Sequence, residues 1–466
     1  MNPPCCRLAA LCICVLAGCA PQPYSPRDLE LDSAVEYAGR SAQAPALAQF
    51  VAQSGYERTW PPEQWGLTEL TLLALYFSPE IRVARAHAAV ARSEVAAASS
   101  AAPFGLTPVV EHHSREVEGD GPWSVGVALE FPWIARSKRE ARLERAVALS
   151  DAADLEVART IWHARAQARD RHIDLIDSRE RLGVLEAGLS ARHDMRALVA
   201  RRVDAGMLSA RDLSQEDALV AELQSALAAE RGRLREAQVA LARAVGLPLE
   251  TFDALAIASH ASFVPVEPMA RDALRESALR NRLDVYQGLL AFAAADAEVK
   301  LAVASQYPEL ALSPGFLWDQ GDAVWSLAGS IAFSPELRAK AAIRQAEAKR
   351  ELAAQRFLEL QTQVIGEAER AAERLLSARS LSEAAARQSE AARAQLLRVE
   401  RLFEGGGADR LQLTAARLAA SSAADGERLA RTSTLRALAG LEDVLQEPVL
   451  DSDEGARTLA GEGAIR

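Results

Sequence analysis

Two hydrophobic periods alternate along this chain. From Leu67 to Ser99 apolar residues recur at helical spacing: Leu70, Leu73, Ala74 and Phe77, then Ile81, Ala84, Ala88 and Ala91. Ser78-Pro79-Glu80 interrupts the run and restarts it, because serine caps a helix and proline fits its first turn. The period then drops to two. Leu106 to His113 leans towards β-structure, and WSVGVALEF, from Trp123 to Phe131, alternates large apolar residues with small or polar ones. One face of such a strand is greasy, while Ser124, Gly126, Ala128 and Glu130 on the other are too small and polar for a protein core. A transmembrane β-strand needs about nine to eleven residues in this alternation. Glu118 to Gly121 is then the turn between two such strands.

From about Ile134 to Asp204 the spacing is helical again, with no internal proline. About seventy residues at about 1.5 Å each predict a rod of roughly 105 Å. Gly206 ends it, Ser209 with Asp212 restarts the chain as a cap pair, and the return run from Ala210 to Val245 stops at Gly246-Leu-Pro248. The return covers about half of the outbound rod. The Leu67–Ser99 segment must cover the other half, so two shorter helices end to end flank one long one.

The plan recurs 200 residues later. RRVDAGMLSARDL (Arg201–Leu213) aligns without a gap on RLFEGGGADRLQL (Arg401–Leu413), matching Gly206 with Gly406 and Ser209 with Asp409, and the register runs on to Pro248 and Pro448. Met269–Ser305 is helical, with Asn281–Asp284 in the place of Phe77–Glu80. Pro308–Trp318 and Trp325–Phe333 read as strands about a Gln320–Asp322 turn, Pro335–Phe403 as a second rod and Asp409–Leu445 as its return. A period this long is no solenoid; one half reads as duplicated. The division is a leader (1–18), an extended lead-in (19–65) with Trp60 and Trp65 as packing points, a first unit (66–248), a linker (249–268), a second unit (269–448) and a disordered tail (449–466). The strand pairs fall at about 106–133 and 308–333, and the bends near 206 and 406.

Four membrane strands per chain cannot close a barrel, since about eight is the smallest count whose interior can be filled. Open edges are not tolerated in lipid, so the chain must oligomerise; a trimer would give twelve strands and twelve rod positions, enough for a hollow cylinder. The fold class is therefore mainly α with a transmembrane β-barrel part. Trp123, Trp133, Trp318 and Trp325 fall near strand ends, where an interfacial aromatic belt would need them; ordinary aromatic packing is the alternative.

Composition agrees with long packed helices: aromatics are 5% of the 466 residues. A net charge of −11 without a clustered basic face argues against a nucleic-acid partner. There is no P-loop, dinucleotide fingerprint or nucleophile elbow, so no enzyme activity, cofactor or metal is expected. His112 and His113 are adjacent strand residues facing opposite ways, which suits separate hydrogen bonds better than one metal ion. All five cysteines lie at or before Cys19. The short run RLAALCICVLA ending in Leu16-Ala17-Gly18-Cys19 resembles a bacterial lipoprotein signal, which implies cleavage before Cys19 and its lipidation; an ordinary secretory signal that happens to contain cysteine is the alternative. Ala20 beside it favours the outer membrane.

The bend pattern Gly206, Ser209, Asp212, Leu213, then Asn281-Arg-Leu-Asp284, AEVKLA (Ala297–Ala302), Tyr307-Pro-Glu-Leu310 and the two strand pairs resemble those of TolC-family outer-membrane efflux proteins over roughly Gly66–Pro448. With the lipoprotein signal, the chain looks most like the lipoprotein branch serving RND-type pumps. The resemblance implies a homotrimer: a 12-stranded β-barrel in the outer membrane, a long α-helical barrel in the periplasm, and a tip that meets a periplasmic adaptor (membrane fusion protein) and opens. Gly206, Ser209, Asp212, Glu404, Gly406, Asp409 and Gln412 would form the tip, gate and adaptor contact. Acidic residues commonly line the family's closed constriction at the second bend; Asp409 is the nearest here, then Glu404, with Gln412 standing where the first bend has Asp212. Three glycines, Gly405–Gly407, give that bend extra backbone latitude, and Leu283 stands where the family often has proline. Asp212, Glu216, Glu404 and Asp409 are either cation-attracting rings or solvated bend residues with capping roles. The same fold also serves type I protein secretion, and a periplasmic coiled-coil scaffold is the non-channel alternative.

Overall fold

The computed structural model describes residues 24–26, 33–100, 103–114, 122–133, 135–259, 270–319, 321–332 and 336–448. The leader with Cys19, the turn Glu118–Gly121, linker residues 260–269 and the tail 449–466 lie outside the described residues. Residues up to Arg40 form one unit, containing helix α1 (Ser33–Ala38), and those from Ser41 onward form the other.

The larger unit repeats one order of elements. In its first half come α2 (Pro45–Gln53), α3 (Leu67–Phe77), α4 (Pro79–Ser99), β1 (Gly105–His112), β2 (Trp123–Trp133), α5 (Arg136–Asp204) and α6 (Ala210–Ala244). After the short α7 (Leu249–Asp253) the second half runs α8 (Arg271–Asn281), α9 (Leu283–Ala304), β3 (Glu309–Asp319), β4 (Asp322–Ala332), α10 (Glu336–Glu404) and α11 (Arg410–Leu445). The rods α5 and α10 are each 69 residues long, about 104 Å at the α-helical rise. α5 packs on α6 towards the bend and on α3 and α4 towards the sheet, as the mismatch in lengths requires.

Two stretches depart from the sequence reading. The lead-in is not extended throughout: proline opens α2, and Leu47 and Val51, one turn apart, are buried. Trp60 donates its indole N–H to the Ala42 carbonyl at 3.1 Å, and Trp65 is buried beside it with ring centroids 5.1 Å apart. In the linker, α7 buries Phe252 in the same core.

That core gathers Leu70, Leu73 and Phe77 of α3, Leu175 of α5 and Leu241 of α6. Its counterpart in the second half gathers Leu274 of α8, Val285 of α9, Val364 of α10 and Leu441 of α11, with Ile173 of α5. Both cores sit near the middle of α5, where shorter helices meet end to end. The breaks are capped differently. Ser78 accepts from the Ile81 N–H at 3.3 Å, whereas Arg282 offers no cap and the Leu283 N–H donates instead to Oε1 of Gln446, at 2.8 Å. A proline at 283 would lack this donor, which gives the leucine there a physical role.

Candidate functional site

Three features bear on function: the sheet, its corner with the rods, and the paired bends. The sheet is antiparallel in the order β1-β2-β3-β4, so β1 and β4 are its edges. Its register aligns Val110 with Val125, Val125 with Trp318, Phe316 with Trp325 and Leu310 with Ile331. Directly paired residues share a face, so these large apolar side chains form one surface across all four strands. Val125, Trp318, Trp325 and Ile331 are all more than half exposed on it. The other face carries Glu111 opposite Ser124, Ser313 opposite Ala328 and Asp319 opposite Asp322. Leu317 is an exception on that face; it closes over Gly126, where a Cβ would fall 2.8 Å from the Leu317 Cα. Eleven-residue strands such as β2 extend about 37 Å, or roughly 28 Å tall when tilted as barrel strands are. No described helix is long and apolar enough to cross a membrane.

Trp123, Trp318 and Trp325 lie at the turn end of the sheet, all exposed, while Trp133 pairs with Leu310 at the opposite end. The two histidines part as their adjacency dictates. His112 packs edge-on against Trp123, 4.6 Å between centroids, on the apolar face. His113 turns to the polar face, where Nε2 lies 2.9 Å from Ser124 Oγ and 3.1 Å from Asp319 Oδ1. Ser124 donates to the same Asp319 carboxylate, so one residue from each of three neighbouring segments is tied together. Among the described residues no group of three or more His, Cys, Asp or Glu is placed to hold a metal ion.

At the corner, Lys138 in the first turn of α5 is buried, and its ammonium donates to the Tyr307 carbonyl at 3.0 Å and to Glu309 at 3.1 Å. This fixes where the rod of one half leaves the strand of the other. Below it, α5 and α11 meet along a seam of ion pairs. Arg169 bonds Asp443 at 2.7 Å and Glu442 at 3.2 Å, Arg165 bonds Glu442, and further down Arg436 reaches Asp174 while Arg428 and Thr432 reach Asp177. Arg169 and Glu442 are almost wholly buried, so both charges depend on the partners gathered in this seam for compensation.

The two bends are the same turn. Gly206 and Gly406 hold φ of 69° and 74°, the left-handed region that favours glycine, with open space around each. In both, the next residue's N–H reaches back to the helix (Met207 to Arg202 O, 2.8 Å; Gly407 to Leu402 O, 2.7 Å). The extra glycines at 405 and 407 sit within the same turn geometry. A capping box then restarts each chain. Asp212 accepts from the Ser209 hydroxyl at 2.7 Å and the Ser209 N–H at 2.9 Å, and Gln412 accepts from the Asp409 N–H at 2.9 Å while Asp409 accepts from the Gln412 N–H at 2.7 Å. The serine–aspartate pair of one bend is thus an aspartate–glutamine pair in the other, with the donors satisfied in the same way. The hydrogen bond from Ser209 holds the Asp212 carboxyl below its usual range, and the Gln412 N–H does the same for Asp409.

Asp409 has a further partner, Arg202, 2.7 Å away across the two bends. Glu216 pairs with Arg192 at 3.2 Å. Among the four acids singled out in the sequence, Glu404 alone has no partner among the described residues. The capping reading therefore accounts for Asp212 and Asp409, and Arg202, Lys138 and the His113 cluster are additions that periodicity could not reveal. Their partners lie between 11 and 207 residues away.

No protein-family model and no curated protein matches this sequence. Solved structures do match. The outer membrane protein VceC from Vibrio cholerae is 17% identical, with 83% of this chain and 99% of that chain covered at a TM-score of 0.67. The outer-membrane channel OprN is 19% identical, covering 92% and 98% at 0.67, and the CmeC outer membrane channel of Campylobacter jejuni is 12% identical, covering 94% and 96% at 0.65. Rods, sheet and bends together are built on the fold of the TolC-family outer-membrane channels.

Proposed function

We propose that three copies of this chain close into an outer-membrane exit duct, the passive outer component of a tripartite efflux system. One observation carries the reading: a four-stranded sheet with one apolar face, one polar face and two unpaired edges stands directly on two 69-residue rods. Three such sheets joined edge to edge give twelve strands, with the apolar faces towards lipid and the polar faces around a lumen. The rods below continue the wall. Lipidated Cys19 anchors the assembly, and the exposed tryptophans sit at the membrane boundary. At the far end the bends, with Gly206, Ser209, Asp212, Glu404, Gly406, Asp409 and Gln412, meet the hairpins of a periplasmic adaptor, behind which an RND-type inner-membrane pump supplies the energy.

The test is the mass of the purified protein together with single-channel recording in a planar bilayer. A trimer with discrete openings is the expected result. A monomer without conductance sinks the duct and leaves a periplasmic scaffold.

A further inference from the structure

The two rods begin directly below the sheet: two residues separate Trp133 from Arg136, and three separate Ala332 from Glu336. Their first turns are basic. α5 opens with Arg136, Lys138, Arg139, Arg142 and Arg145 and α10 with Arg338, Lys340 and Arg344, against the acids Glu140, Glu144 and Glu336. Each of those three acids is already paired: Glu140 with Arg136 at 2.6 Å, Glu144 with Lys300 at 2.8 Å and Glu336 with Lys340 at 2.5 Å. Lys138 is taken by Glu309, on the polar face of the sheet. Arg139, Arg142, Arg145, Arg338 and Arg344 are left over. All five are exposed, and none has an acceptor for its guanidinium among the described residues.

This surplus stands where it is electrostatically unfavourable. The start of a helix is the positive end of its dipole, so cations are disfavoured there and anions favoured. α5 has neither an acid in its first turn nor a side-chain cap to offset them. In a chain of net charge −11 the concentration of unpaired arginine at this one level calls for an anion from outside the chain. Beside Arg338 stands Leu337, 83% exposed, so the same turn offers an apolar side chain and a guanidinium together. That pairing suits a boundary between hydrocarbon and headgroups.

We propose that these five arginines form a collar that binds the phosphate groups of anionic phospholipids in the periplasmic leaflet. The proposal rests on the reading of the sheet as membrane-spanning. With the strands across the hydrocarbon, a headgroup layer of about 6 Å begins at the rod tops. Arg139 and Arg338 lie about 3–5 Å below those tops, and Arg142, Arg344 and Arg145 about 9–14 Å below. Side chains on a helix lean towards its N-terminus, so the lower three extend up towards the layer. Guanidinium binds phosphate in a two-pronged fork, and an anionic leaflet attracts basic residues beside it.

The full chain reconstituted in vesicles of phosphatidylcholine with a minor share of phosphatidylglycerol tests this. Resistance to carbonate extraction reads insertion first. The inserted protein is then released in mild detergent, and the lipids it retains are counted by native mass spectrometry. Phosphatidylglycerol is expected to be enriched several-fold over its share of the vesicle. Arg139→Gln with Arg142→Gln and Arg145→Gln should lower the enrichment, as should Arg338→Gln with Arg344→Gln, and all five together should remove it. Arg370→Gln with Arg374→Gln, equally exposed on α10 but near its middle, should leave it intact. A chain that does not insert sinks the membrane reading and the collar with it. An inserted chain without enrichment overturns the collar alone. Enrichment lost equally in the mid-rod pair, or abolished by excess inorganic phosphate, overturns it too, the first by reducing the effect to net charge and the second by assigning the arginines to free anions.

Discussion

Nη2 of Arg202 lies 2.7 Å from Oδ2 of Asp409, joining the bend of one half of the chain to the bend of the other. The pair is about half exposed, with side chains 37% and 50% accessible, so solvent screening leaves it little stabilising power of its own. Its interest is positional. Asp409 also caps α11, and asparagine caps as well as aspartate. Asp409→Asn is therefore expected to leave the melting temperature unchanged while Asp409→Ala lowers it. If the tie holds the tip closed, Asp409→Asn and Arg202→Ala should each raise the open probability in bilayers several-fold. No change in gating from either, with a lowered melting temperature for the alanine variant alone, would reduce Asp409 to a cap. The Gln412 N–H and then Arg202 hold its carboxyl below the usual range, so the tie is present above that range and is lost only as pH falls through the lowered value.

His172 makes a separate, pH-dependent prediction. It is 2% exposed on α5, and burial lowers its pKa to about 4 against the opposing hydrogen bond that the ring makes to the Ala258 backbone carbonyl. A histidine in the unfolded chain titrates near about 6.5. Between those values the unfolded chain binds more protons, so stability should fall as pH drops from about 6.5 to about 4 and flatten below. The full effect is on the order of 3 kcal/mol. Urea midpoints measured across this window should slope for the native chain and lose most of that slope in His172→Gln. Equal slopes in both would place the dependence elsewhere.

What the sequence made legible was what repeats locally. The period-two run from Trp123, the proline-free rods and the Gly206 and Gly406 turns each depend on residues within a few positions of one another, and the structure has them there. The helix α2 was not legible, because a single pair of buried positions, Leu47 and Val51, is too short a run to show a period. The α5–α11 seam was not either. Arg169 reads as one more charge on a polar helix until the fold brings Glu442, 273 residues on, against it. Asp409 reads from the sequence as either a ring charge or a capping residue; the structure shows its carboxylate in the cap and adds Arg202, 207 residues away in the chain.

Gly246 and Gln446 occupy equivalent places in the two halves, both with positive φ, 75° and 49°. Glycine adopts this at no steric cost, whereas glutamine loses about 1 kcal/mol. What glutamine adds is the cap on Leu283. Gln446→Ala, which keeps the strain and loses the cap, is expected to destabilise by about 1–2 kcal/mol. Gln446→Gly loses the cap but relieves the strain, and should come within about 0.5 kcal/mol of the native chain. Chemical denaturation separates the two; identical losses would mean that the backbone at 446 is unstrained.

The two faces of the sheet should respond oppositely to charge. Leu327 is central on β4, 74% exposed on the apolar face, and Ala328 beside it points to the other. In a barrel spanning lipid, Leu327→Arg would place a guanidinium near the bilayer midplane at a cost of about 2–4 kcal/mol. Ala328→Arg would face water inside and leave folding intact, while three added charges in the lumen shift ion preference towards anions. Folding into lipid vesicles followed by urea titration measures the first effect, and reversal potential in a salt gradient the second. A destabilised Ala328→Arg with a tolerated Leu327→Arg would turn the sheet inside out. Equal tolerance of both would mean that neither face meets lipid, and the four strands would then have to close by some means other than a membrane barrel.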